Sequence, residues 1–335
     1  MTRLKNLKEL FDHLSKSSRI VGLKKAGNRY LYQVLEQYDD WQSSVLLGAF
    51  SPKELFFPQD EALFHFKAQN VIAPKHEERQ QVLFGVRPCD IRGIWELEKM
   101  FNQTEYRDPY FMKRFERTLI VGMACAEPLP TCFCTSVQGS PYESKGSDIF
   151  IYSTGQGYLL DVITKKGEEA LAGLSFETVE DRSKIEADRT LAESKIKEYD
   201  LEGVAEKLKV MVDSKFWEET HFTCIGCGTC AFVCPSCHCF DISDDSKGSR
   251  GKRSRQWDSC LYKEYTIETS GHNPRPSGAQ RWRQRLNHKF NYFHQVFGMY
   301  QCLGCGRCGR ACPVNINIAE LASKAVTWEE SKPDN

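Results

Sequence analysis

Apolar residues recur at helical spacing from the start of the chain, at Leu4, Leu7, Leu10, Phe11 and Leu14. One helical face carries all five, so the chain is expected to open with an amphipathic helix. Short β-rich runs follow at 43–50, 82–86, 118–123, 148–152 and 158–164, each of strand length and bounded by polar or turn-forming residues. Between the second and third, Ile94, Trp95, Leu97 and Phe101 set a helical period over 91–101. Strands alternating with helices predict an α+β protein whose N-terminal part is a mixed α/β domain over residues 1–200. The stretch 167–200 within it is mixed and charged, which suits a helix-bearing surface segment or connector.

The C-terminal part is organised by cysteines. Cys224, Cys227, Cys230 and Cys234 share one spacing with Cys302, Cys305, Cys308 and Cys312, each run closing on a proline, Pro235 and Pro313. The pattern C-x2-C-x2-C-x3-C-P is the one by which bacterial ferredoxins hold 4Fe–4S clusters, with the fourth cysteine of each run ligating the other cluster. Three thiolates in a tight loop grip three corners of a cube, and the fourth, one helical turn on, points elsewhere. The crossed pattern assigns Cys224, Cys227, Cys230 and Cys312 to a first cluster and Cys302, Cys305, Cys308 and Cys234 to a second. One such run also suits zinc; two complete runs closing on Cys-Pro weigh against it.

Residues 203–217 read as a helix entering the first run, and the flanks at 215–222, 288–297 and 316–326 read as helical. A helical ferredoxin-like dicluster domain is therefore expected over 201–330, with a long basic insertion at 236–300. Residues 247–289 of that insertion carry eleven Lys or Arg residues, with Asp258, Glu264 and Glu268 as the acidic ones and Trp257, Tyr262, Tyr265 and Trp282 among the aromatic ones. Basic residues interleaved with aromatic ones also occur where single-stranded nucleic acid binds. The commoner meaning is a solvated or partner-facing surface. A third is electrostatic, because cations and hydrogen-bond donors near a cluster stabilise its reduced form.

A second group of cysteines lies upstream: Cys89 in Arg-Pro-Cys-Asp, then Cys125, Cys132 and Cys134. Cys89 and Cys125 each follow a predicted strand. If those strands are neighbours, their ends converge on one edge, where ligands usually bind. Four thiols there suffice for a third 4Fe–4S cluster; the alternative is that they are ordinary small core residues. A third group, Cys237, Cys239 and Cys260, does not complete a four-sulfur set and admits three readings: packed bystanders, alternative ligands, or partners of His238. Gly304, Gly306 and Gly309 match a dinucleotide-binding fingerprint, but such a fingerprint must follow a strand and open a helix in a βαβ unit. Here the intervening residues are the cluster cysteines, and the glycines serve to wrap the loop around a cube.

Composition narrows the setting. Forty-five basic and forty-five acidic residues cancel, so no global charge points to nucleic acid or an anionic membrane. Fifteen clustered cysteines, without an apolar secretory segment in residues 1–16, argue for metal-held thiolates in a reducing, cytoplasmic compartment. No run of apolar residues has the length of a membrane span.

The motifs Phe84-Gly85-Val86-Arg87-Pro88-Cys89-Asp90, Cys125, Cys132-Phe133-Cys134, Cys234-Pro235-Ser236-Cys237-His238-Cys239 and Gln256-Trp257-Asp258-Ser259-Cys260 carry a resemblance over about residues 80–320. The chain resembles an iron–sulfur component shared by two kinds of enzyme. One kind is the sulfhydrogenase-type cytoplasmic nickel–iron hydrogenases, where it is the β subunit, and the other is anaerobic sulfite reductase. The resemblance implies several 4Fe–4S clusters, with Cys89, Cys125, Cys132 and Cys134 holding a third. It also implies two kinds of partner: a flavin-containing, NAD(P)H-oxidising subunit, and a catalytic subunit of a hydrogenase, sulfite reductase or heterodisulfide-reductase-like assembly. The expected function is single-electron relay between them, with no catalytic residue in this chain. The alternatives are a self-contained iron–sulfur flavoprotein reductase and, further off, a nucleic-acid-binding protein with structural clusters.

Overall fold

Two six-residue strands, Gln81–Val86 and Thr118–Met123, are buried along their whole length. A strand covered on both faces reads as an unbroken apolar run rather than an alternation, and both sequences do. They pair in parallel, and they lie inside an eight-stranded mixed sheet. In order across it the strands are Glu177–Thr178, Thr2–Leu4, Tyr158–Val162, Ile149–Ser153, Thr118–Met123, Gln81–Val86, Arg19–Ala26 and Arg29–Val34. The strands from Arg19, Gln81, Thr118 and Ile149 run parallel, so the ends of Gln81–Val86 and Thr118–Met123 do share one sheet edge. Cys89 then opens the helix Pro88–Phe101, and Cys125 lies just past Met123.

This computed structural model describes residues 1–74, 79–155, 157–174, 177–179 and 181–330. The sheet belongs to a unit made of residues 1–58, 75–130 and 139–196; residues 59–74, 131–138 and 197–335 form a second unit. Two segments of the N-terminal half, 59–74 and 131–138, are therefore counted with the cysteine-rich part. In the first unit, Leu7, which caps the opening helix, and Leu10, Phe11 and Leu14 within it pack with Ile20, Phe84, Leu119 and Val121. Leu4 precedes that helix, in the short strand Thr2–Leu4, and the helix itself is Lys8–Ser15.

Residues 43–50 form no strand, contrary to the sequence expectation. Their backbone groups are used in turns and loop contacts instead: Val45 N–H donates to the Gln42 carbonyl (3.1 Å) and Ala49 N–H to the Tyr30 carbonyl (2.9 Å). The stretch 167–200 holds the helix Ser183–Ser194, and its residues 175, 176 and 180 lie outside the described ones.

The second unit combines short helices with a four-stranded antiparallel sheet, in the order Phe240–Lys247, Arg250–Trp257, Asp60–Lys67, Asn70–Ile72. The expectation of a helical dicluster domain is thus met only in part, since much of the insertion is a β-hairpin. Its two strands are oppositely charged. Asp244 stands opposite Arg253 and Asp245 opposite Lys252, and Arg253 reaches Asp244 through both Nε (2.8 Å) and Nη2 (2.6 Å). The acidic partners lie just before the stretch whose charge looked one-sided. A deeply buried charge pair joins two strands of this sheet: Arg255 Nε donates to Glu61 Oε1 at 2.9 Å.

A single helix over 203–217 is not formed. The chain makes Val204–Val210, breaks, and restarts as Phe216–His221, with Ser214 Oγ accepting from Phe216 N–H at 3.1 Å. Further helices span Gly278–Asn287 and Ile318–Val326, the first continuing through a π-helical turn, His288–Tyr292, into Phe293–Phe297. Leu208, Phe216, Trp282, Leu286, Phe290 and Ala322 are buried together in this unit's core. Among the described residues no helix is long and apolar enough to cross a membrane.

Glu61→Ala removes the carboxylate that meets the buried Arg255 guanidinium, and breaking a buried pair in this way costs about 3–5 kcal/mol. Urea unfolding followed by circular dichroism is expected to show a loss of that order, and a change below about 1 kcal/mol would mean that the pair is not buried as described.

Candidate metal centre

The two cysteine runs are built alike. In the first, Gly226 and Gly228 take positive φ (70° and 71°), after which Cys230 sits in the helical turn Thr229–Phe232. In the second, Gly304 and Gly306 do the same (63° and 67°) and Cys308 sits in Arg307–Arg310. Glycine is needed for space as well as for φ. A Cβ on Gly228 would come within 2.6 Å of the Tyr262 ring, and one on Gly304 would run into the backbone of Phe133 and Cys134. The resulting loops turn backbone N–H groups inward, Gly226 toward the Cys224 thiol and Gly304 toward that of Cys302.

Each run encloses a cavity that the other completes. The first is lined by Cys224, Cys227, Cys230 and Cys312, together with Cys308. The second is lined by Cys302, Cys305, Cys308 and Cys234. The fourth cysteine of each run thus stands at the other run's cavity. Among the described residues no three Cys, His, Asp or Glu side chains gather around a point as they would for one metal ion; these thiols ring a volume instead.

The environments differ. Cys302 and Cys305 are buried, whereas Cys227 is exposed, with the exposed side chains of Phe222 and Ile225 nearby in sequence (89 % and 65 % accessible). Burial pushes the Cys224, Cys230 and Cys302 thiols up, and that of Cys308 up to about 12 against the pull of Arg285. Thiols so placed stay protonated until a metal displaces the proton, so loading releases protons. Cys234 is the opposite case: its hydrogen bond with Cys237 holds it well below the usual thiol range despite burial, helped by Lys289.

Three buried cations accompany these thiols: Arg285, Lys289 and Arg307. Arg285 lines both cavities, while Lys289 and Arg307 line the second. Lys289 Nζ donates to Ser236 Oγ (3.0 Å), which donates to the Gln301 carbonyl (2.7 Å) and lies 3.5 Å from Cys234 Sγ. Arg285 Nη2 donates to the Cys230 carbonyl at 3.4 Å, while its Nη1 is buried without a hydrogen-bond partner. Burial opposes charge on both Arg285 and Lys289, yet the surrounding thiols hold both above their ordinary range. An unpaired buried guanidinium nitrogen at a thiol-ringed cavity fits an anionic occupant, and a cube bound by four thiolates is one. Sequence reading missed Arg285 and Lys289 as cavity residues. A signal was present: with Trp282, Leu286, Phe290 and Phe293 they occupy i, i+3, i+4, i+7, i+8 and i+11, the apolar face of their helix.

The upstream cysteines fall in both units. Cys89 and Cys125 belong to the first, where Arg87 lies between the strand ends. Its Nη1 donates to the Ala124 carbonyl (2.7 Å) and Nη2 to the Ser43 carbonyl (3.0 Å), leaving Nε buried without a partner. Burial lowers the Arg87 pKa, and Cys125 and Cys89 oppose that shift. Cys132 and Cys134 belong to the second unit, against the second run: Phe133 N–H donates to the Gly304 carbonyl at 2.7 Å, and Cys132 Sγ to the Cys305 carbonyl at 3.9 Å.

The third thiol group packs outside both cavity linings. Cys237 hydrogen-bonds with Cys234, and Cys239 with Cys260, a hydrogen bond that draws the Cys239 thiol down to about 6. His238 is placed edge-on to His288, with ring centroids 5.4 Å apart, and Gln301 Nε2 stands 3.2 Å from its Nδ1.

Cavities ringed by thiols, with a cation shared between them, define the chain as an iron–sulfur protein of the electron-transferring kind. A family described as a 4Fe-4S dicluster domain matches residues 223–316, the segment that holds both runs. The chain is similar to sulfhydrogenase 2 subunit beta of Pyrococcus furiosus, 32% identical over 319 residues, which span 93% of this chain and 94% of that one. It belongs to the sulfhydrogenase β-subunit family. No solved structure matches it.

Gly304→Ala places a Cβ against the Cys134 backbone at positive φ, a conformation that alone costs about 1–2 kcal/mol. The variant is expected to hold less iron per chain than the wild type. Gly309→Ala, whose new Cβ meets nothing closer than the Ile316 carbonyl at 3.7 Å, is expected to hold the full amount. Equal iron in both variants would contradict the tight loop described above.

Proposed function

We propose that this chain is the electron-relay subunit of a multisubunit oxidoreductase, acting in the cytoplasm. On one side it would take electrons from a flavin-containing, NAD(P)H-oxidising subunit, and on the other it would serve a catalytic subunit. The observation that carries the reading is the exchange of Cys234 and Cys312 between the two cavities. It supports Cys224, Cys227, Cys230 and Cys312 as ligands of one 4Fe–4S cluster, and Cys302, Cys305, Cys308 and Cys234 as ligands of a second. When bound, such clusters supply single-electron chemistry, which splits a two-electron donor's charge into steps.

The chain's own residues supply the rest. Cys302 and Cys305 are buried at the second cavity, and the fixed cations there would offset the negative charge that a reduced site gains. Cys227, the exposed thiol of the first cavity, would mark the surface end of the relay. At the other end, Cys132-Phe133-Cys134 packs on the second run. A third cluster, held by Cys89, Cys125, Cys132 and Cys134, would extend the relay beyond the second. Among hydrogenase, sulfite reductase and heterodisulfide-reductase-like assemblies, similarity to a sulfhydrogenase subunit favours a hydrogenase as the catalytic partner.

Iron analysis of anaerobically reconstituted protein is expected to give about twelve atoms per chain; about eight would leave the upstream cysteines without a cluster. Cys132→Ser is expected to remove about four of the twelve. Cys312→Ser is expected to damage the whole dicluster core, and loss of the second cluster alone would mean that the ligands are not crossed. One tightly bound flavin per chain would replace the relay with a self-contained reductase.

A further inference from the structure

Arg285 differs from the other described cations near the cysteine runs in lining both cavities. It sits in the helix Gly278–Asn287, on the face that carries Trp282 and Leu286 into the core, and it is 3 % exposed. A side chain held there cannot follow a charge by moving or by recruiting water. Its Nη2 is tied to the Cys230 carbonyl, at the third cysteine of the first run, while Nη1 has no hydrogen-bond partner. Lys289, one turn on and across the start of the π turn, is equally buried, but it reaches only the second cavity and is bonded there to Ser236. Ser236 in turn contacts Cys234, the fourth cysteine of the first run.

We propose that Arg285 is the shared counter-cation of the two clusters, raising the reduction potential of both, while Lys289 acts on the second alone. The inference rests on the dicluster reading above and adds the division of labour between the two cations. In each reduction one electron enters from the donor; no bond forms or breaks and no proton is taken up, because the compensating charge is already in place. The favourable interaction grows with each added electron, so it is larger for the reduced state than for the oxidised one. Because one guanidinium faces both sites, removing it moves both potentials. Removing Lys289 moves one. Both are positioning residues and touch no substrate.

The test is an anaerobic, EPR-monitored redox titration of the reconstituted full chain, with iron content measured on each sample. R285Q is expected to shift both one-electron waves of the dicluster, those that persist in Cys132→Ser, to lower potential by at least tenfold in the reduction equilibrium, about 59 mV each. R285K, which keeps the charge, is expected to stay near the wild type, and K289Q to shift one wave only. R283Q is the control, since Arg283 on the same helix binds the Val212 carbonyl and stands 3.8 Å from Asp213; neither wave is expected to move.

Iron-replete R285Q with unmoved waves, or with one wave moved, overturns the proposal. So does R285K behaving like R285Q, which would assign the effect to packing rather than charge. If R285Q takes up too little iron to titrate, R285K and K289Q decide: the proposal stands only if R285K leaves both waves in place and K289Q moves one. Failure of the dicluster reading itself looks different, as a wild-type chain holding fewer than about eight iron atoms.

Discussion

The exchange of Cys234 and Cys312 between the two runs is the constraint on which the rest of the second unit depends. Each run supplies three thiols from a loop that only glycines at Gly226, Gly228, Gly304 and Gly306 can turn so tightly. Neither loop closes its own cavity. The helical turns Thr229–Phe232 and Arg307–Arg310 must therefore pack together, and the long segment between the runs must return the chain to the same place. The hairpin Phe240–Trp257 and the helix from Gly278 accomplish that return. Charge pairing holds the hairpin, and an apolar face that includes Trp282, Leu286 and Phe290 holds the helix.

The same geometry explains why cations are buried beside the cysteines. A guanidinium or ammonium in a protein interior is costly unless a negative charge meets it. Arg285 and Lys289 stand among thiols, most of them pushed up by burial, with Cys234 beside Lys289 the exception. The cations favour loss of the thiol protons, and the thiolates justify the buried cations. In the first unit Arg87 is also buried with one nitrogen unpartnered, but there burial prevails over the opposing pull of Cys125 and Cys89 and lowers its pKa.

Much of this was legible in the chain because its signals are local. Spacing and the closing prolines mark both runs, and unbroken apolar stretches mark the strands Gln81–Val86 and Thr118–Met123, whose shared edge carries Cys89 and Cys125. The hairpin Phe240–Trp257 left no apolar alternation to read, because it is held by opposed charges such as Asp244 and Arg253. Residues 43–50 have strand-like composition but spend their backbone on loop contacts. The assignment of 59–74 to the second unit depends on pairing with Arg250–Trp257, a contact nearly two hundred residues away in sequence. Burial of Arg285 was visible as a basic residue on an apolar helical stripe, yet its meaning required the cavities.

The central claim is that crossed cysteines lock two clusters into one core. EPR of the fully reduced protein tests it most directly, because two paramagnetic clusters held in one core broaden and split each other's signals. Such an interaction spectrum is expected in the wild type. Two sharp, independent signals at full reduction, in protein carrying its complete iron, would contradict it.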